Sequence, residues 1–115
     1  MPDRPVAVVE FSGYRRRAEE LLAPDEQDAV VDLIAHDPTC GDVIQGTGGL
    51  RKVRIGIGSS GKRGGARVIY YFYNPDHPVL LLALYAKNEK ADVSAQDKKR
   101  FIALVKEITA QWQRK

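Results

Sequence analysis

Cysteine occurs once in this 115-residue chain and histidine twice. The lone Cys40 excludes an internal disulfide and any thiolate metal cluster built within one chain. No His-x-x-x-His pair, nucleophile elbow or paired carboxylates beside a cationic segment stands in the sequence, so the familiar metal, serine and two-carboxylate sites are absent from its motifs. His36 and His77 fall at a predicted helix end and in a predicted turn, where surface histidines are ordinary. The longest apolar run, residues 79–86, is far short of the ~20 residues that span a bilayer. Residues 1–5 (Met-Pro-Asp-Arg-Pro) lack the basic-then-apolar pattern of a secretory signal, which with one cysteine leads to a cytoplasmic expectation. There is no fixed-period repeat and no low-complexity tail.

The most informative lack is of acid. The net charge is +3. Residues 43–75 carry six Lys and Arg and no Asp or Glu, while residues 1–42 sum to −6 and residues 76–115 to +3. A 33-residue stretch without a carboxylate interrupts a chain in which 29% of residues are charged. Hydrophobic residues make up 43%, an ordinary globular share. A chain of this length is expected to form one domain over residues 1–115, burying about two-thirds of the surface it exposes when unfolded.

Residues 6–11 (Val-Ala-Val-Val-Glu-Phe) predict a first strand. Ser12 is the candidate cap of a helix with Tyr14, Ala18, Leu21 and Leu22 at helical spacing. Ala23-Pro24-Asp25-Glu26 predicts a second helix start, with proline in the first turn and acids near the positive end of the dipole. Val30, Leu33 and Ile34 form its stripe, and His36-Asp37-Pro38 ends it. Residues 41–49 read as a loop. Residues 50–57 alternate cleanly, Val53, Ile55 and Ile57 against Lys52, Arg54 and Gly56. Residues 67–73 and 79–86 are two more strands, the latter apolar on both faces and so expected deep in the sheet under a helix. Ser94-Ala95-Gln96-Asp97 reads as a capping box with Asp for Glu, opening a helix striped by Phe101, Leu104, Val105, Ile108 and Trp112. The order β-α-α-β-β-β-α defines an α+β domain. Its short connections predict an antiparallel sheet with the helices packed on one face.

Lys52 and Arg54, two apart on a strand, share a face. Arg67 opens the next strand, Lys87 closes the one after, and Lys62 and Arg63 lie on the connection between the first two. These cations are expected to converge on one sheet face opposite the helices, where they would concentrate phosphate-bearing ligands and release counterions. Tyr70, Tyr71 and Tyr73 offer aromatic surfaces for base stacking. Alternation sets Tyr70 and Phe72 against Tyr71 and Tyr73, so at least one pair belongs to the core. The glycine-rich segment 58–65 joins two strands and lacks the glycine spacing of a phosphate-binding P-loop.

Three stretches carry a resemblance: residues 41–54 (Gly-Asp-Val-Ile-Gln-Gly-Thr-Gly-Gly-Leu-Arg-Lys-Val-Arg), then 61–72 (Gly-Lys-Arg-Gly-Gly-Ala-Arg-Val-Ile-Tyr-Tyr-Phe), then 84–89 (Leu-Tyr-Ala-Lys-Asn-Glu). In this order they resemble the HigB-like branch of the RelE toxin superfamily. The resemblance implies a small microbial-RNase-type fold and a bacterial type II toxin that cuts mRNA in the ribosomal A site. It also implies a helix-turn-helix antitoxin partner, operator DNA contacted only through that antitoxin, and no metal, cofactor or membrane. Lys52, Arg54 and Arg67 fall on positions where the family carries catalytic cations. Lys87 and Asn88 fall where it has a Lys-Arg pair, and Ser94 where its best-known members have tyrosine. The catalytic set so implied is Lys52, Arg54, Arg67 and Lys87, with Arg51, Lys62, Arg63, Tyr71, Tyr73 and Asn88 as RNA or ribosome contacts.

The chemistry suits these residue types. In metal-free cleavage the 2′-OH attacks the adjacent phosphorus, and charge builds on the non-bridging and leaving oxygens. Arginine and lysine stabilise it, and a lysine crowded by other cations can serve as a base. Arg67 is assigned the scissile phosphate, Lys52 or Lys87 the proton transfers, and Arg54 the transition-state charge. The competing readings are a ParE-like gyrase inhibitor, which has no need of converging cations, and a non-catalytic RNA-binding module.

Overall fold

The computed structural model describes residues 4–56, 65–87 and 93–114. The elements run β1 (Val8–Glu10), α1 (Ser12–Leu21), α2 (Pro24–His36), β2 (Asp42–Val43), β3 (Leu50–Ile55), β4 (Ala66–Tyr71), β5 (Val79–Ala86) and α3 (Ala95–Gln113). The α+β class and the expected elements are present, with one strand more. The five strands form one sheet in the order β1-β5-β4-β3-β2. β2 through β5 pair antiparallel as a meander, whereas β1 runs parallel to β5, Val8 opposite Val79 and Glu10 opposite Leu81. The sheet is therefore mixed, not purely antiparallel. β1 follows no hairpin; it reaches β5 across the sheet edge, and its neighbours Ala7 and Phe11 continue the ladder through Val79 N–H to Ala7 O and Phe11 N–H to Leu81 O.

The helices occupy both faces, a second departure from the expected arrangement. Tyr14, Ala18 and Leu22 of the α1 segment and Val30 and Ile34 of α2 pack on Ile55, Val68, Tyr70, Val79, Leu81 and Leu84. Phe101 and Val105 of α3 pack on the other face, against Leu50, Ile69, Leu80, Leu82 and Ala83. Two cores, one on each side, explain why every residue of β5 except Tyr85 is buried. Each fully buried Leu or Ile contributes about 1.5–3 kcal/mol by transfer from water, which makes β5 the spine of the fold. A bulge between β4 and β5 pairs Ile69 with Ala83 but Tyr70 with Leu81. Leu82 is the extra residue, and it lets both Leu82 and Ala83 face α3.

Helix starts differ in their chemistry. Phe11, not Ser12, is the N-cap of α1, and no side-chain bond caps it; Ser12 is already its first helical residue. At α2 the Glu26 carboxylate accepts from the Ala23 N–H at 2.8 Å, with Pro24 in the first turn. Leu33, placed by periodicity on the apolar stripe of α2, is 42% exposed, and Val30, Ile34 and Ala35 form the buried face instead. Ser94 caps α3, its Oγ accepting from the Asp97 N–H at 3.1 Å. No helix among the described residues is long and apolar enough to cross a membrane.

Candidate active site

The site begins at a turn that the sheet holds by its carbonyls. The Tyr70 side chain is fully buried, and its hydroxyl donates to Pro38 O and accepts from Gly41 N–H, both at 2.8 Å. Burial above all pushes this phenol well above its ordinary value, so it keeps its proton and its donor role. The Arg51 guanidinium donates to Gly41 O at 2.7 Å and to Thr39 O at 3.4 Å. At Gly41 a Cβ would stand 2.7 Å from Lys52 O and 2.9 Å from the Tyr70 hydroxyl, so only glycine fits so close to β3. These contacts seat the two-residue strand β2 on β3, with Asp42 directly opposite Lys52 and Val43 opposite Arg51.

Register then decides which side chains share a face. Lys52 pairs with Ile69, and Arg54 with Arg67, which in turn pairs with Tyr85. Ile69 belongs to the α3 core, whereas Val53 and Val68 belong to the α1–α2 core. Asp42, Lys52, Arg54, Arg67 and Tyr85 therefore lie on the α3 face, not opposite all the helices. α3 covers the half of that face nearer Leu50, Leu80 and Leu82. The other half is open, a cavity of about 360 Å³ lined by Asp42, Lys52, Val53, Arg54 and Arg67. Beyond Lys52, β3 has no partner in β2. Arg54, exposed there, also borders a second hollow over α2 with Glu26, Val30 and Leu33.

The remaining candidates divide. Lys87 is exposed at the end of β5, and its N–H donates to Gly65 O at 2.9 Å, carrying the ladder one step past Ala86. It stands beside the open half of the face without lining the cavity. Arg51 points to the other face, as its alternation with Lys52 requires, and is spent there on the carbonyls of Thr39 and Gly41. Tyr70 is core, which settles one of the two tyrosine pairs. Tyr71 and Tyr73, stacked at 6.5 Å, lie at the far end of β4 from Arg67. Tyr71 packs in the α3 core; Tyr73 meets Trp112 at 5.5 Å and His77 at 5.3 Å and accepts from Gln113 at 3.1 Å. Both are thus engaged with α3 and its flanking turn. Lys62, Arg63 and Asn88 lie outside the described residues.

Next to Arg67, the Tyr85 hydroxyl donates to the Asp97 carboxylate at 2.9 Å, and Arg100 pairs with the same carboxylate at 3.2 Å. Burial and this bond hold the Tyr85 phenol well above its ordinary value. The residue read as the second half of a capping box is thus drawn toward the sheet, and it anchors the start of α3 beside the cationic cavity. Asp42 is the functional candidate that the sequence reading left in the acidic third. A two-residue strand is too short for periodicity to reveal, and the available signals were its place at the border of the acid-free stretch and within the first stretch of resemblance, which assigns it no role. Among the described residues no group of three or more His, Cys, Asp or Glu is placed to hold a metal.

A mixed five-stranded sheet between helices, with cations gathered on its open half, is compatible with the small microbial-RNase class of α+β domain. The sequence model of the RelE toxin, from the RelE/RelB toxin–antitoxin system, matches residues 39–115, which span β2 through α3 and every cavity residue. The chain belongs to the RelE toxin family, and is a toxin of a toxin–antitoxin system with an antitoxin for its partner.

Proposed function

We propose that this toxin is a HigB-like, ribosome-dependent mRNA endonuclease that cleaves without a metal and so inhibits translation in the cytoplasm. The observation that carries the reading is the gathering of Lys52, Arg54 and Arg67 in one open cavity, with Lys87 beside it. A scissile phosphate lying between Arg54 and Arg67, which are cross-strand partners, meets two guanidinium forks suited to its non-bridging oxygens. Lys52 and Lys87 flank them as point donors for the charge on the attacking and leaving oxygens. The cavity is shallow and open, so the ribosome supplies the orientation of the mRNA, and orientation is a large share of such a barrier. The antitoxin is a helix-turn-helix protein, and operator DNA is reached through it.

The test is Arg67→Ala in a reconstituted translation reaction, read by primer extension on the mRNA. Loss of an oxyanion-stabilising donor costs about 10²–10³ in rate. Cleavage by Arg67→Ala at the unaltered rate refutes the assignment of Arg67. Intact mRNA with inhibited DNA supercoiling in the presence of the unaltered protein refutes the enzyme and favours a gyrase inhibitor. Salt-sensitive RNA binding without any cut leaves a binding module.

A further inference from the structure

The cavity holds one group that its cations cannot replace. Lysine and arginine are donors only, with no lone pair to offer while charged. Of the four polar residues that line the cavity among the described residues, three are such donors: Lys52, Arg54 and Arg67. The fourth, Asp42, is an acceptor only when ionised. It is exposed and accessible, and it stands opposite Lys52 on the same face. Directly opposed residues of an antiparallel ladder have Cβ atoms about 5 Å apart, within reach of one shared ligand atom. Among the described residues three cations outnumber the one carboxylate, so the cavity still attracts phosphate.

An acid placed here lowers phosphate affinity unless it serves the other reacting group. RNA brings that group: the 2′-OH, which has to lose its proton as it attacks. We propose that Asp42 is a catalytic residue of the cleavage, the acceptor of the 2′-OH proton. The inference rests on the endonuclease reading above and divides the proton transfers that reading assigned to the lysines. The step balances without a further reactant. The 2′-oxygen forms its bond to phosphorus as its proton passes to the Asp42 carboxylate. The bond from phosphorus to the 5′-oxygen breaks, and that oxygen takes a proton from Lys52. The products are a 2′,3′-cyclic phosphate and a free 5′-OH. Accepting a hydrogen bond from the 2′-OH also lets the site tell RNA from DNA. The device depends on Gly41 and Tyr70, which seat β2 so that Asp42 faces the cavity.

Asp42→Asn keeps the size and polarity of the side chain and removes its capacity to take a proton. The experiment is single-turnover cleavage on programmed ribosomes, with the unaltered toxin and Asp42→Glu in parallel. Binding is measured separately on mRNA carrying a 2′-deoxy residue at the scissile nucleotide. The expected loss in Asp42→Asn is about 10²–10⁴-fold in cleavage, the usual share of a general base, with Asp42→Glu recovering part of it. Binding to the deoxy substrate is expected to stay equal or tighten, since a negative charge has gone. The residual rate of Asp42→Asn is expected to climb about tenfold per pH unit as hydroxide replaces the base. Cleavage by Asp42→Asn within threefold of the unaltered toxin overturns the Asp42 assignment and leaves the endonuclease standing. A matched loss of cleavage and deoxy-substrate binding also overturns it, because Asp42 then serves folding or docking. No cleavage by the unaltered toxin overturns both.

Discussion

Replacing Tyr70 by phenylalanine removes one oxygen atom from the interior, its hydrogen bonds to Pro38 O and Gly41 N–H, and its weaker 3.7 Å contact with the Cys40 thiol. The ring stays, so the α1–α2 core keeps its volume. What changes is the turn at residues 38–42. Gly41 N–H, now bonded to the hydroxyl at 2.8 Å, lies in a buried residue and is left without that acceptor. An orphaned buried donor costs about 1–3 kcal/mol, and the lost bond to Pro38 O about 1 kcal/mol more, since that carbonyl is only part-buried and can recover water. The sum, about 2–4 kcal/mol, is a large share of the ~5–15 kcal/mol that holds a domain together. Urea unfolding followed by circular dichroism reads it as a lower midpoint at unchanged slope. Tyr73→Phe is the matched control, because its hydroxyl only receives a bond from Gln113 at the surface, and a change of about 0.5 kcal/mol or less is expected there. A Tyr70→Phe midpoint that moves no further than that of Tyr73→Phe refutes the account of how β2 is held, and with it the explanation of why Asp42 faces the cavity.

The Tyr14 hydroxyl is buried and has no hydrogen-bond partner among the described residues, so Tyr14→Phe is expected to raise stability by about 1 kcal/mol, and a lower urea midpoint would contradict this. Burial, helped by Glu10, pushes the Tyr14 phenol up to about 12 from 10.0. The folded state therefore holds this proton more tightly than the unfolded chain does, and the matching stability is complete below pH 10 and drains away toward pH 12. Tyr14→Phe should flatten that alkaline decline, measured as midpoint against pH. Ser94→Ala removes the α3 cap and is expected to cost about 1 kcal/mol, read by the same unfolding assay; an unchanged midpoint means that the Tyr85–Asp97 bond alone secures the helix start.

The alternation of Lys52, Val53, Arg54 and Ile55 was legible because a half-buried strand has a strict period of two, and the register of β3 on β4 followed the same parity. β5 was legible as a doubly buried strand for the opposite reason: it has no parity to break, since a core lies on each side. That second core was itself the clue to helices on both faces, and the apolar run of β5 already required it. The parallel pairing of β1 was not legible. Three residues carry too little pattern to name a partner 71 positions away. The engagement of Arg51, Tyr71 and Tyr73 was hidden too, because charge and aromaticity fix what a side chain can bind and not whether the fold has already used it.

Asp42 shows how a boundary drawn by counting can fall in the wrong place. Counted along the chain, it is the last acid of a segment with a charge of −6. Placed in the sheet, it is the cross-strand neighbour of Lys52 and, among the described residues, the one carboxylate lining a cavity shared with Lys52, Val53, Arg54 and Arg67. The absence of acid from residues 43–75 then takes on a sharper meaning. A second carboxylate on β3 or β4 would stand opposite Arg54 or Arg67 and neutralise the fork meant for phosphate. The acid that is kept comes from a different strand, at the edge of the cavity, ten residues earlier than its partner and fixed there by a glycine and a buried tyrosine. In the proposed reaction that separation is what the chemistry asks for. The phosphate meets only donors, and the hydroxyl that attacks it meets the acceptor.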